Sequence, residues 1–156
     1  MRIKYNIMSS KPDLVFYYSR LVPSTNVSII KEGSITNQTT DGLIFADENL
    51  SEPIGSFIFN ITVVNTDQTS PNNLYQGSGT NVYFLPEGSI SHTINLDFIK
   101  SVDGAYAVPP NESNLFGIVN GSRDFLNQRG LVYQSTRTDG YRSISVFFEK
   151  PNSLIK

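Results

Sequence analysis

The sequence has no cysteine, no tryptophan and one histidine, and only 17% of its 156 residues are charged. Without cysteine there is no disulfide frame, no thiol nucleophile and no thiolate metal ligand, a composition that fits a reducing compartment. With His92 alone, a zinc site would need carboxylates for its other ligands, which is rare, so no metal site is expected. A basic excess is also missing. Lys and Arg number 12 against 14 Asp and Glu, for a net charge of −2, which argues against a nucleic-acid surface. No stretch approaches the roughly 20 apolar residues of a membrane helix. The start, "MRIKYNIMSSKPDL", lacks an uninterrupted apolar core and a small-residue cleavage site. The expectation is a soluble chain without a recognisable secretion signal, cytoplasmic or part of a virion. Outside the secretory route, sequons such as Asn26-Val27-Ser28 would carry no sugar.

What is present is alternation. Apolar residues make up 38% of the chain and aromatics 12%, enough for one packed domain over residues 1–156, with 1–12 as an N-terminal extension and 150–156 as a C-terminal tail. In "FIFNITVV", Phe57, Phe59, Ile61 and Val63 share one face of a strand. In "SISHTINLDF", Ile90, His92, Ile94, Leu96 and Phe98 do the same. Shorter patterns mark residues 14–20, 26–30, 43–46, 80–85, 115–119, 131–136 and 141–149, separated by turn signals such as "PEG" at 86–88 and "DG" at 103–104. Seven to nine strands without a helix predict a single antiparallel barrel or sandwich. Strands such as "DLVFYYSR" are apolar on both faces, so an outer face needs a covering partner, in the simplest case a second copy.

The candidate chemistry is sparse. His92 sits on an apolar face and reads as structural or pocket-lining. No serine stands in a G-x-S-x-G elbow, so a hydrolase is not expected. "YQGSGT" leads into a strand instead of a helix, which makes its glycines turn residues and not a phosphate cradle. In "GIVNGSRDFLNQRG" the P-loop lysine is missing and strand again follows. Asp124, flanked there by Arg123 and Arg129, reads first as one partner of a surface ion pair. The sharper alternative is an acid at a barrel mouth, its pKa raised by burial toward general-acid use. Asp47 in "FADENL" is a further candidate.

The order of motifs resembles that of plant dirigent proteins over roughly residues 42–149. "GLIFADENLSEPIGSFIF" is similar to their strand, acidic turn and following strand, and "NVYFLPEGSISHTINLDF" to their next hairpin. "FGIVNGSRDFLNQRG" resembles their glycine-rich signature, with Asn120, Gly121, Ser122 and Arg123 in place of its four-residue turn, Phe125 as the aromatic and Arg129-Gly130 closing it. The resemblance points to the allene oxide cyclase and dirigent superfamily and implies an all-β, closed, eight-stranded antiparallel barrel that assembles as a trimer. It further implies an apolar lumen that holds a reactive small molecule in one conformation, without metal or organic cofactor. Asn and Arg stand where that turn has glycines, and Arg adopts left-handed backbone reluctantly.

Two functions follow. In the first, the barrel binds or orients a small hydrophobic ligand, acting as an isomerase, cyclase or dirigent-type guide; His92, Phe57, Phe59, Tyr83 and Tyr133 would line the site, and Asp47, Asp124 and Arg129 would supply orientation or proton transfer. Phe16, Tyr18, Phe84 and Phe147 or Phe148 are further aromatics expected to face the lumen. In the second, a trimeric barrel is a building block of a larger assembly such as a virus shell.

Overall fold

In a computed structural model, residues 11–19, 25–64, 74–101, 104–137 and 140–150 are described. Most of the expected terminal extension and tail lies outside them, as do Arg20 of the first expected strand and Asp103 of the expected turn. Alternating sequence becomes strand along nearly the whole of this length: β1 (Leu14–Ser19), β2 (Asn26–Glu32), β3 (Ile35–Phe45), β4 (Pro53–Val64), β5 (Tyr75–Leu85), β6 (Gly88–Lys100), β7 (Tyr106–Ala107), β8 (Ser113–Gly121), β9 (Gly130–Thr136) and β10 (Tyr141–Phe148). A single 3-10 turn, Arg123–Phe125, joins β8 to β9.

Eight of these strands close on themselves. The order β1-β10-β9-β8-β6-β5-β4-β3 runs antiparallel throughout, and β1 meets β3 again where Tyr17 lies opposite Phe45. Closure removes the open edges that a flat sheet would leave unpaired. β2 continues along β3 beyond β1, from Asn26 opposite Asp41 to Glu32 opposite Ile35, and is exposed along its length. β7 pairs with the end of β6.

Period two decides what fills the lumen. Phe57, Phe59, Ile61 and Val63 of β4 are buried, as are Ile90, His92, Ile94 and Phe98 of β6. The lower half is apolar: Phe16, Ile44, Ile90, Val132, Ile144 and Val146 meet there, and Phe125 of the 3-10 turn stacks on Phe148 at 5.6 Å to plug that end. The upper half is not. Thr36, Gln38, Thr40, Asn81, Gln134, Thr136 and Arg142 are all buried, although they are polar.

Several sequence expectations change. β3 begins at Ile35 instead of residue 43, because its inward residues Thr36, Gln38 and Thr40 are polar and hide the alternation. Gly77 and Gly79 of "YQGSGT" lie inside β5 and not in a turn. A side chain at Gly77 would meet the Phe98 ring at 2.8 Å, and one at Gly79 would strike the backbone carbonyl of Asn60. Arg123 does take left-handed backbone, with φ of 54°. A non-glycine residue there stores about 1–2 kcal/mol, which the surrounding turn must hold.

Candidate functional site

A strap crosses the upper mouth. Ala107 and Tyr106 pair with Ile99 and Lys100 at the end of β6, and Gln38 on β3 grips the same segment. The Gln38 amide donates to the Tyr106 carbonyl at 2.9 Å, and its oxygen accepts from the Tyr106 N–H at 2.7 Å. One side chain thus imitates a neighbouring strand, satisfying both backbone groups where no strand reaches. Ala105, Tyr106, Ala107 and Val108 are buried by this arrangement, and Tyr106 packs edge-on against Tyr75 at 5.3 Å. Replacing Gln38 with Ala leaves two buried backbone groups without partners. The expected cost is about 1–3 kcal/mol, read by denaturant unfolding, with faster amide exchange at Tyr106.

Beneath the strap lies a cavity of about 20 Å³, room for a water-sized group. Phe57, Phe59, Ile94 and Phe116 form apolar wall, Ala107 and Val108 of the strap form the roof, and Tyr18, Thr40, Asn81, Gln134 and Arg142 supply polar atoms. Arg142 is only 3% exposed, a degree of burial rare for arginine. Its Nη1 donates to the carbonyl of Gly140 at 2.7 Å. Tyr18 donates its hydroxyl to Gln134 at 3.3 Å. The Oδ1 of Asn81 is buried and has no hydrogen-bond partner among the described residues.

A hydrogen-bonded row stands next to this cavity. Asn81 Nδ2 donates to the Tyr83 hydroxyl at 3.2 Å, that hydroxyl is 3.1 Å from His92 Nε2, and His92 Nδ1 is 3.0 Å from the carbonyl of Thr93. Phe116 stacks on the His92 ring at 4.4 Å. Burial pulls the His92 pKa down to about 4, with the Thr93 carbonyl opposing the shift. Burial, and then the nearby Tyr18, push the Tyr83 phenol well above its ordinary range. At neutral pH both side chains are therefore uncharged.

The structure gathers four of the aromatic and histidine candidates, Phe57, Phe59, Tyr83 and His92, in the lumen. It places Tyr133 elsewhere. Val132 and Gln134 point inward, so Tyr133 between them is on the outer face of β9, opposite Leu115. Phe84 is turned outward for the same reason, next to buried Tyr83, and Phe147 lies on the outer side opposite Leu131. Asp124 and Arg129 are exposed at the plugged end, far from the strap.

Asp47 organises the β3–β4 turn. Its carboxylate accepts from the Ser51 hydroxyl at 2.6 Å and from the Ser51 and Glu52 N–H groups, and these bonds hold its pKa below the ordinary value. Asp47→Ala is expected to speed amide exchange at Ser51 and Glu52 while leaving the Tyr106 amide unchanged. Sequence reading missed Arg142, Asn81, Gln134 and Gln38. The parity of Arg142 with Ile144 and Val146, and of Asn81 with Tyr83, is the signal that places them inside. Among the described residues no cluster of three His, Asp or Glu side chains could hold a metal.

No family model matches the chain, and no curated protein matches it. Among solved structures, pyocyanin demethylase is similar, with a TM-score of 0.50 and 12% identity over 85% of this chain and 98% of that one. The likeness to dirigent proteins rests on the quoted motifs. What the structural comparison shows is the fold: this chain is a closed β-barrel like that of pyocyanin demethylase.

Proposed function

We propose that the barrel binds and orients a small, largely apolar molecule in its upper lumen, beneath the strap. The observation that carries this reading is the buried Arg142 lining the same cavity as Asn81, whose amide oxygen has no partner. A barrel built only for rigidity gains nothing from an unsatisfied carbonyl in its interior, since it costs free energy that an apolar side chain would not. The walls suit an apolar ligand body, and the polar groups suit its head. With the strap down, the cavity takes only a water-sized group, so the ligand enters as Tyr106–Val108 lift and Gln38 lets go. Pyocyanin demethylase, by its name, acts on pyocyanin, which supports a small-molecule role for a barrel of this shape.

Among the described residues no strong nucleophile lines the cavity, and the reactions in keeping with the dirigent-like reading are an isomerisation, a cyclisation or dirigent-type guiding, driven by confinement and orientation. The dirigent-like reading adds a trimer and no resident cofactor. Asp124 and Arg129, exposed at the far end, would act at that rim and not on a lumen ligand. Calorimetric titration with small aromatic carbonyl compounds tests the reading. Wild type is expected to bind, Gln38→Ala to bind with faster association, and Arg142→Leu to bind about tenfold more weakly. No binding by either wild type or Gln38→Ala would overturn it.

A second reading, a trimeric building block of a larger assembly such as a virus shell, draws on the outer surface. Leu115 and Val119 of β8 are 52% and 59% exposed, beside Leu131 and Tyr133 of β9, and Ile30 of β2 is 58% exposed. Apolar strand faces of this kind ask for cover. Sedimentation over a wide concentration range separates the two readings, because a building block grows beyond a trimer.

A further inference from the structure

The row from His92 to Asn81 fixes which way the Asn81 amide points, and this rests on the ligand-binding reading above. The backbone carbonyl of Thr93 can only accept, so the His92 Nδ1 facing it carries the proton. In the neutral ring Nε2 is then bare and accepts from the Tyr83 hydroxyl. With its only hydrogen committed to His92, the Tyr83 oxygen can only accept from its other neighbour, and it does so from Asn81 Nδ2. A flipped Asn81 would set two oxygen lone pairs against each other. The amide oxygen is therefore the atom left over, and it is the one found buried without a partner, on a residue lining the cavity.

We infer that His92 is a positioning residue which, through Tyr83, presents the Asn81 carbonyl oxygen to the lumen and thereby selects ligands whose head group donates a hydrogen bond. Arg142, lining the same cavity, offers donors only. The matching head group carries an acceptor for Arg142 beside a donor for Asn81, as a primary amide, a lactam or a hydroxy-carbonyl does. A carboxylate accepts at both positions and meets the Asn81 oxygen with a lone pair. A site with a buried, directed acceptor discriminates strongly against an analogue that lacks the donor.

Benzamide and acetophenone provide the test, because they are nearly the same size and both keep the carbonyl, while only benzamide has N–H groups. Wild type is expected to bind benzamide about tenfold more tightly than acetophenone. In His92→Phe, which keeps a flat ring against Phe116, the Tyr83 hydroxyl becomes free to donate and Asn81 turns over, so the preference should vanish or reverse. Equal binding of the two compounds by wild type would overturn the inference and leave the ligand-binding reading standing. Failure of wild type and Gln38→Ala to bind either compound would overturn both. Nitrogen-15 NMR of the wild-type His92 ring needs no variant: a proton on Nδ1 and a bare Nε2 are expected, and the opposite tautomer would overturn the inference alone.

Discussion

Lowering the pH from about 7 to about 4 is expected to remove on the order of 3 kcal/mol of folding stability through His92 alone. The unfolded chain takes up the histidine proton near the ordinary value of 6.5, whereas the folded chain resists it until about 4. Between those two values the unfolded state binds more protons, so stability is full above the window and falls as pH drops through it. The cause is burial: His92 is walled by Phe116 and Tyr83, and charging it takes an imidazolium out of water. Protonation also puts a hydrogen on Nε2, which then faces a hydroxyl hydrogen and forces the row to Asn81 to reverse. Urea unfolding at several pH values, compared between wild type and His92→Phe, isolates the effect. The wild type should lose stability more steeply between pH 6.5 and 4, although the variant starts lower. Parallel pH slopes would contradict it.

Phe57→Ala is expected to cost about 3–5 kcal/mol, the range for removing a fully buried aromatic ring. Phe57 is 1% exposed, packs on the Tyr18 ring at 4.2 Å and covers the backbone of Gly42, where a β-carbon would come within 2.9 Å of the ring. Its neighbours are strands fixed in a closed ladder, so the wall cannot collapse into the space and a cavity term adds to the transfer term. The same change enlarges the cavity beneath the strap. The variant should therefore bind benzene, a ligand that fills apolar voids, more tightly than wild type does. Denaturant unfolding gives the stability, and a benzene-dependent rise in melting temperature gives the new space. A loss under about 1 kcal/mol would mean that this wall is already loose.

The parts of the fold that could be read from sequence are those whose inward residues are apolar. Residues 57–64 and 89–98 alternate cleanly, and their inward faces are the ones expected. The first half of β3 was hidden because Thr36, Gln38 and Thr40 occupy its inner face. That is also why the site itself was hard to see: a polar lumen removes the contrast on which periodicity depends. Where two apolar residues adjoin, as in Tyr83-Phe84 and Val132-Tyr133, parity alone does not say which is inside, and Phe84 and Tyr133 turned out to face outward. The strap left no strand signal because β7 is two residues long and is held by a side-chain amide instead of a neighbouring strand. "GIVNGSRDFLNQRG" was legible as strand, turn and strand, but its charged residues lie outside the lumen.

The most direct test of a ligand site under the strap is residue-by-residue NMR of the labelled protein during titration with benzamide. Shifts are expected to concentrate at the Tyr106 and Ala107 amides and at the side-chain amides of Gln38, Asn81 and Gln134. Amide exchange at Tyr106 is expected to be faster in Gln38→Ala. Shifts confined to outer positions such as Leu115, Val119 and Ile30, with the lumen unmoved, would contradict a site under the strap.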